Sequence, residues 1–501
     1  MAGFNRPGVY VQETLNPIQP VATATSDSYA TFAGANDRGP VSTPTLVNSW
    51  SQYVKLFGSW NTTASNDLPL AVYMFFSNGG SACYIVRVAA SSTTASRSLN
   101  DRAGSPSATL AISANTPGTW GNSLNISISN SNTTGYFDLT VYSGGVTDSN
   151  IVERFTDLSM TTTDTRYAVT TVNSSSSYLG LVDLNSGNTG ATRNPAVVTN
   201  QTLSGGTGGN ALVTSDYSSA LSSLDTVRNS LVLNLPGNTS TATVNAAISY
   251  AASREDVFVI VDSYATTVVS ALSNSATYTP SSLAAVYHPP LVIPDPTSAL
   301  GASSTLTKTV GAGAAVAGIM MATDASRGVF KAPAGLQSRV AGAVSVTSLT
   351  NAELDALNTA AAPINAIKYV PGSGICVMGS RTLKPGYVDK YIPVRRTLIY
   401  LRKSLTSLTE FAIFEPNDEQ LWRRLEATVN SFLTTFWSQG GLRGATPKEA
   451  FFVKVDAENN PQYLIDNGEV HIEVGVSLQR PAEFVVIKIG QFDGGTTVTV
   501  A

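Results

Sequence analysis

Hydrophobic positions change rhythm along the chain, and each rhythm implies a different element. Near the start, Pro7-Gly8-Val9-Tyr10-Val11-Gln12-Glu13 is a run of strand formers bounded by Pro and Gly. A Pro-spaced tether through Pro17 and Pro20 follows it, with no hairpin partner nearby. Tyr29 to Gly34 predicts a buried strand, and Ser49 to Phe57 a short helix with Trp50, Val54 and Phe57 on one face. The apolar run Leu70 to Phe76 leads through Asn78-Gly79-Gly80 into a strand over Cys83 to Val88. From about Ala90 the pattern becomes short alternation, as in Leu124-Asn125-Ile126-Ser127-Ile128 and Tyr136 to Tyr142, which predicts antiparallel β structure.

After Leu203 to Gly209 the rhythm changes again. Leu231 to Leu235 and Val257 to Asp262 are continuous apolar runs around a helix over Val244 to Arg254. Strand, helix and strand at this spacing predict a parallel βαβ unit. The last region predicts two amphipathic helices. One starts at Pro393 with Val394, Leu398, Leu401, Leu405 and Leu408 in its stripe. The other starts at Asn417 as N-cap, carries Leu421, Leu425, Val429, Phe432 and Phe436, and ends at Gly440-Gly441. Strands over Phe451 to Val455, Val470 to Val476 and Phe484 to Ile489 follow. A glycine loop then leads to the terminal run Thr496-Thr497-Val498-Thr499-Val500.

These patterns predict a multidomain α/β and α+β fold. Its parts are a terminal strand and linker over 1–25, and a discontinuous α/β domain over 26–89 and 203–365. Inserted in that is a β-rich domain over 90–202. A mixed-sheet domain with helices over 366–493 and a terminal strand over 494–501 complete the chain. The 501 residues leave room for about three or four domains. Charge sharpens the division. Only 13% of residues are charged, about half the usual ~25%, yet residues 368–501 hold 15 of the 30 basic and 14 of the 34 acidic ones. Low charge elsewhere suits a surface covered by further copies of the chain. A net charge of −4 provides no global attraction for nucleic acid or an anionic membrane. The apolar stretch Val310 to Ala322 is too short and Gly-rich to span a bilayer, and the N-terminus lacks the apolar run of a signal peptide.

Little catalytic chemistry is available. Cys83 and Cys376 sit in strand-like apolar contexts and are expected to be buried free thiols of a chain matured in a reducing cytoplasm. Of the two histidines, His288 before Pro289-Pro290 reads as a loop residue and His471 as the polar face of a strand. Neither belongs to a metal cluster or a triad. Gly311-Ala312-Gly313-Ala314-Ala315-Val316-Ala317-Gly318 superficially resembles a dinucleotide loop. Its spacing is wrong, no convincing strand precedes it, and a closely packed small-residue helix is the better reading. Asp324 and Arg327 read as a local ion pair or turn cap, and Glu255-Asp256 as a solvated helix end. The pairs Arg395-Arg396, Arg402-Lys403 and Arg423-Arg424 fall on polar helix faces, interleaved with acids. They make a candidate strip for an acidic protein surface. No cofactor, metal or catalytic residue is expected.

Several segments together resemble one family. Ala317 to Gly335, reading AGIMMATDASRGVFKAPAG, resembles the central signature of contractile phage tail sheath proteins. Arg6 to Val11 is similar to their N-terminal motif, and Trp120-Gly121-Asn122 and Val152 to Phe155 to their middle domain. Tyr391 to Arg396, Phe414 to Asn417 with Leu421-Trp422, and Ala450 to Val453 resemble their C-terminal domain. The matches keep the family's order along nearly the whole chain. Tailocin and injection-system sheaths share the pattern.

The resemblance implies a structural, non-enzymatic protein that polymerises around an inner tail tube in a metastable extended state. Contraction would drive the tube through a host cell envelope. It implies arms, through Val9, Tyr10, Val11, Thr496, Val498 and Val500, that add strands to the C-terminal domains of neighbours. The C-terminal domain would be the inner, polymerising one, with Arg402, Lys403, Arg423 and Arg424 as possible tube-facing charges. Implied partners are further copies in a helical sheath of stacked rings, the tube protein, and baseplate and tail terminator proteins. Direct nucleic-acid binding and membrane insertion are not implied. The expected location is a virion tail assembled in the host cytoplasm. The Ser/Thr-rich stretch 90–202 also admits a β-rich adhesin or carbohydrate-binding protein, which leaves the charged helical end unexplained.

Overall fold

The computed structural model describes residues 28–60, 67–298, 306–384, 386 and 390–483. The terminal strands expected at Val9 to Val11 and Thr496 to Val500, and the one at Phe484 to Ile489, lie outside these residues. The chain divides into two units. The described part of one is Ser28–Ile399 with Arg480–Glu483, and of the other Tyr400–Gln479.

The first unit is built on a sheet that has eight strands among the described residues. From edge to edge they are Gly374–Val377, Ile364–Val370, Ala284–His288, Val257–Asp262, Ser230–Asn234, Ser28–Ala35, Cys83–Val88 and Thr45–Val47. The inner strands run parallel, with Val232 opposite both Ala30 and Phe258, and the two edge strands run antiparallel. Continuous burial explains the parallel pairing. Every residue of Ser230–Asn234, Val257–Asp262 and Ala284–His288 is buried, as a sheet covered on both faces requires. Helix Asp67–Ser77 packs with Gly313–Arg327, and Thr214–Ser222 with Thr241–Arg254. The strands wind outward from Ser28–Ala35 in both directions. Both helix pairs pack on strands of this sheet.

The small-residue helix has a packing reason. A Cβ on Gly318 would stand 2.5 Å from the Phe75 carbonyl of the neighbouring helix, so only glycine allows this approach. The large sheet does not stop at residue 365. Its last strands reach Val377, and Leu383, Ile392 and Ile399 still belong to its core. The alternating hairpin 364–377 straddles the expected boundary, and its parallel partner Ala284–His288 lies far back in the sequence.

A second core runs from Ala95 to Leu203. It lies between two antiparallel sheets, Val198–Thr202/Leu124–Asn130/Phe137–Ser143/Ile151–Leu158 and Ser96–Asn100/Ala108–Ala114/Leu179–Asp183. Alternation does the work, with Ile126 opposite Val141 and Ile128 opposite Leu139, all buried. The turn after Ser28–Ala35 holds this region to the large sheet. The Arg38 guanidinium lies 4.5 Å from the Trp120 ring and 4.3 Å from that of Tyr178. Asp37 accepts from the Thr119 backbone and hydroxyl at 2.8 Å. Arg87, fully buried, donates to the carbonyls of Asn36, Gly39 and Pro117.

Candidate interaction surface

The unit Tyr400–Gln479 is a helical hairpin over a small sheet. Helix Ile392–Thr409 begins in the α/β unit and continues into this one, and helix Glu419–Ser438 returns. The second helix buries Leu421, Leu425, Val429, Phe432, Leu433 and Phe436, a stripe at the helical period. Tyr400 packs against Phe432 and Phe436 at 6.3 and 5.5 Å between ring centres. The N-cap is Asp418, whose side chain accepts from Leu421 N–H at 2.9 Å, not Asn417. Asn417 instead accepts from the Trp422 indole and donates to the Glu469 carbonyl.

Helix Glu419–Ser438 packs on strand Phe451–Lys454, which pairs antiparallel with Glu473–Val476. Phe452 faces Gly475, where a Cβ would meet its ring at 2.1 Å. Buried Asn460 fixes the connection, since its amide exchanges hydrogen bonds with the His471 backbone at 2.6 and 3.0 Å. His471 is therefore an exposed residue just before the strand rather than within it, with Nε2 at 2.9 Å from Glu469. Among the described residues neither outer edge of this two-stranded ladder has a ladder partner. Such edges are templates for a further strand.

The candidate charges divide. Arg402 is exposed and Lys403 half-buried on the first helix. Arg423 is exposed and pairs with Glu419 one turn back at 3.1 Å. Arg424 lies 3.9 Å from Glu415 and 5.0 Å over the Phe411 ring. Ile413 and Phe414 project nearby, with Phe414 fully exposed in the left-handed region at φ +66°. Arg396 does not sit on a polar face. It is buried, and its guanidinium forks onto Asp324 of the central helix, with Nη1 to Oδ1 at 2.9 Å. Asp324 thus pairs with a residue far away in sequence, not locally with Arg327. The spacing of Ile392, Arg396 and Ile399 carried the signal, because i, i+4 and i+7 share one helix face.

The glycine-rich segment is no phosphate site. Strand Thr307–Val310 does precede it, paired antiparallel with Leu291–Pro294. The helix N-terminus beyond is already filled by a carboxylate of the chain itself. Asp262, buried, accepts from Gly313 N–H and from Asn234 Nδ2 at 2.9 Å. Burial lifts its carboxyl to about 6. His288 is a buried strand residue rather than a loop one. Its Nδ1 lies 3.2 Å from Ser263 Oγ, and burial pulls the imidazole down to about 4. Asp256 also departs from the solvated reading, being buried beside Arg254 at 2.6 Å. Cys83 and Cys376 are buried free thiols. Among the described residues no cluster of His, Cys, Asp and Glu could hold a metal ion, and no helix is long and apolar enough to cross a membrane.

Residues 389–491 match the family model of the phage tail sheath C-terminal domain. A tail sheath protein of Vibrio phage KVP40 is 26% identical over 176 residues, covering 34% of this chain and 25% of that protein. The match thus spans about a quarter of that relative's length. The helical sheath of the anti-feeding prophage in its contracted state superposes with a TM-score of 0.60 at 20% identity, over 98% of this chain and all of the other. The PVC sheath of an extracellular contractile injection system, also contracted, gives 0.58 at 21% over 98% and 99%. A sheath tail protein from Listeria innocua gives 0.62 at 14% over 91% and 96%. Residues 389–491 are thus similar to the C-terminal domain of phage tail sheath proteins, and the chain shares the fold of contractile sheath subunits.

Proposed function

We propose that this chain is the structural subunit of a contractile tail sheath. Copies stack as rings around an inner tail tube in a metastable extended state, and their contraction drives the tube through a host envelope. The observation that carries this reading is the sheath C-terminal domain match, which falls on the unit with two unfilled strand edges among its described residues. In this reading Val9 to Val11 of one copy and Thr496 to Val500 of another extend the Phe451–Lys454/Glu473–Val476 sheet of a third. The unit Tyr400–Gln479 is then the inner, polymerising part and the β-rich stretch 90–202 an outer one. Arg402, Lys403, Arg423 and Arg424 face the tube. Further partners are baseplate and tail terminator proteins, and the place of action is the virion tail, after assembly in the host cytoplasm. Contraction uses energy stored during assembly, with no cofactor and no catalytic step. Electron microscopy of the purified full-length chain tests the proposal. Hollow, striated tubes are expected. A chain that stays monomeric at high concentration, while its β-rich region binds glycans, would favour the adhesin reading instead.

A further inference from the structure

The chain re-enters the α/β unit at Arg480, and within four residues it is held. Glu483 accepts a fork from Arg381, Nε to Oε1 and Nη2 to Oε2, both at 2.6 Å. The Tyr391 hydroxyl donates to Oε2 at 3.0 Å, and the Lys390 ammonium stands 3.8 Å away. Arg381 is itself fixed. Its Nη1 donates to the Asn358 carbonyl at 2.6 Å, and its backbone N–H to Asn365 Oδ1 at 2.7 Å. Buried Asn365 donates in turn to the Val286 carbonyl of the large sheet. An exposed ion pair contributes ~0–1 kcal/mol and fixes little. This one is two-pronged, with side chains only 12% and 22% exposed, and is built through to the sheet. Burial pushes the Glu483 carboxyl up, but the Arg381 fork, Tyr391 and Lys390 outweigh it and hold it below the usual range.

We infer that the cluster of Arg381, Tyr391 and Glu483 is a positioning clamp that gives the C-terminal arm a fixed point of departure toward a second copy of this chain. The inference rests on the arm reading above. From Glu483 to Val498 an extended chain spans at most about 50 Å. A tether with a fixed root searches a restricted volume and raises the effective concentration of the arm at its target. Without the clamp, residues 480–483 no longer fix where the chain leaves the α/β unit, and both the origin and the direction of the search are lost.

The test compares full-length variants in sheath assembly, read by sedimentation and electron microscopy beside monomer melting. Glu483→Gln and Arg381→Lys are each expected to raise the concentration needed for assembly roughly tenfold at a temperature where every variant's monomer is still folded. Glu483→Asp, which keeps the charge, recovers most of the loss. Deleting residues 494–501 is expected to abolish assembly. If the deletion abolishes assembly while Glu483→Gln assembles like wild type, the clamp is overturned and the arm reading stands. If the deletion variant itself assembles normally, the arm reading fails and the clamp with it. Losses that track a fall in melting would mark a folding role alone and also overturn the clamp.

Discussion

At the scale of single residues, two buried titratable groups at the C-terminal ends of neighbouring inner strands, Asp262 and His288, have a measurable consequence. Asp262 has a folded value of about 6, above that of an unfolded aspartate, so between about pH 4 and 6 the folded chain holds a proton the unfolded chain lacks. Acidification through that window stabilises. His288 works in reverse. Its folded value of about 4 lies below that of an unfolded histidine, so between about pH 6.5 and 4 acidification destabilises. The windows overlap and the slopes oppose, each up to about 1.4 kcal/mol per pH unit. Asp262→Asn should therefore melt progressively lower than wild type as pH falls from 6.5 to 4. His288→Gln should melt progressively higher. Parallel pH profiles for all three proteins would show that neither group titrates as its burial implies. The sequence hid this pair for a simple reason. Pro289-Pro290 after His288 signals a loop, and nothing local reveals that the preceding residue ends a strand buried on both faces.

At the scale of elements, periodicity was the reliable guide and polar partners were not. The stripe of Glu419–Ser438 and the apolar runs of the inner strands could be read directly, because burial imposes a period on the chain. The cap shifted by one residue, from Asn417 to Asp418, since both side chains can cap and only tertiary contact decides; Trp422 and Glu469 claim Asn417. Arg396 was misread because an arginine doublet on an amphipathic helix usually faces water, while its partner Asp324 sits on another helix. The pair yields a prediction. Arg396→Met leaves the Asp324 charge uncompensated and should lower stability by about 3 kcal/mol, the mild end for a buried pair because Asp324 keeps 20% exposure. Combining it with Asp324→Leu should recover much of the loss. Denaturant midpoints of the two single variants and the double variant decide it. An additive double variant would mean the two residues stabilise independently.

At the scale of the whole molecule, colinear motifs indicated a sheath fold. The composition change near Ala90 falls just before Ala95, where the second core begins. What composition could not locate was the end of the large sheet. Charge begins to rise at Lys368, inside strand Ile364–Val370, so the chain changes character before its sheet is complete. The proposed tube contact belongs to this scale. Glu419 and Glu415 already engage Arg423 and Arg424, so exchanging internal partners for a tube surface would cost part of what it gains. Charge reversal at Arg402-Lys403 or at Arg423-Arg424 is expected to weaken co-sedimentation with the tube protein. The binding should also weaken as salt rises, because exposed charges are screened over about 10 Å at 0.1 M. Wild-type co-sedimentation by both reversals would assign these residues to solvent.

The two-unit division has a temporal consequence. The α/β unit is left at Ile399 and rejoined at Arg480, so its final contacts await every residue between. At 5–20 residues per second, a ribosome takes roughly 4–16 s over that stretch. Throughout that interval Arg381 and Tyr391 are already made while Glu483 does not yet exist. The nascent sheet can close its buried strands, but Glu483 arrives only after the unit Tyr400–Gln479 has been made. A chain built in this order makes residues 494–501, the segment proposed to capture neighbours, only after both units.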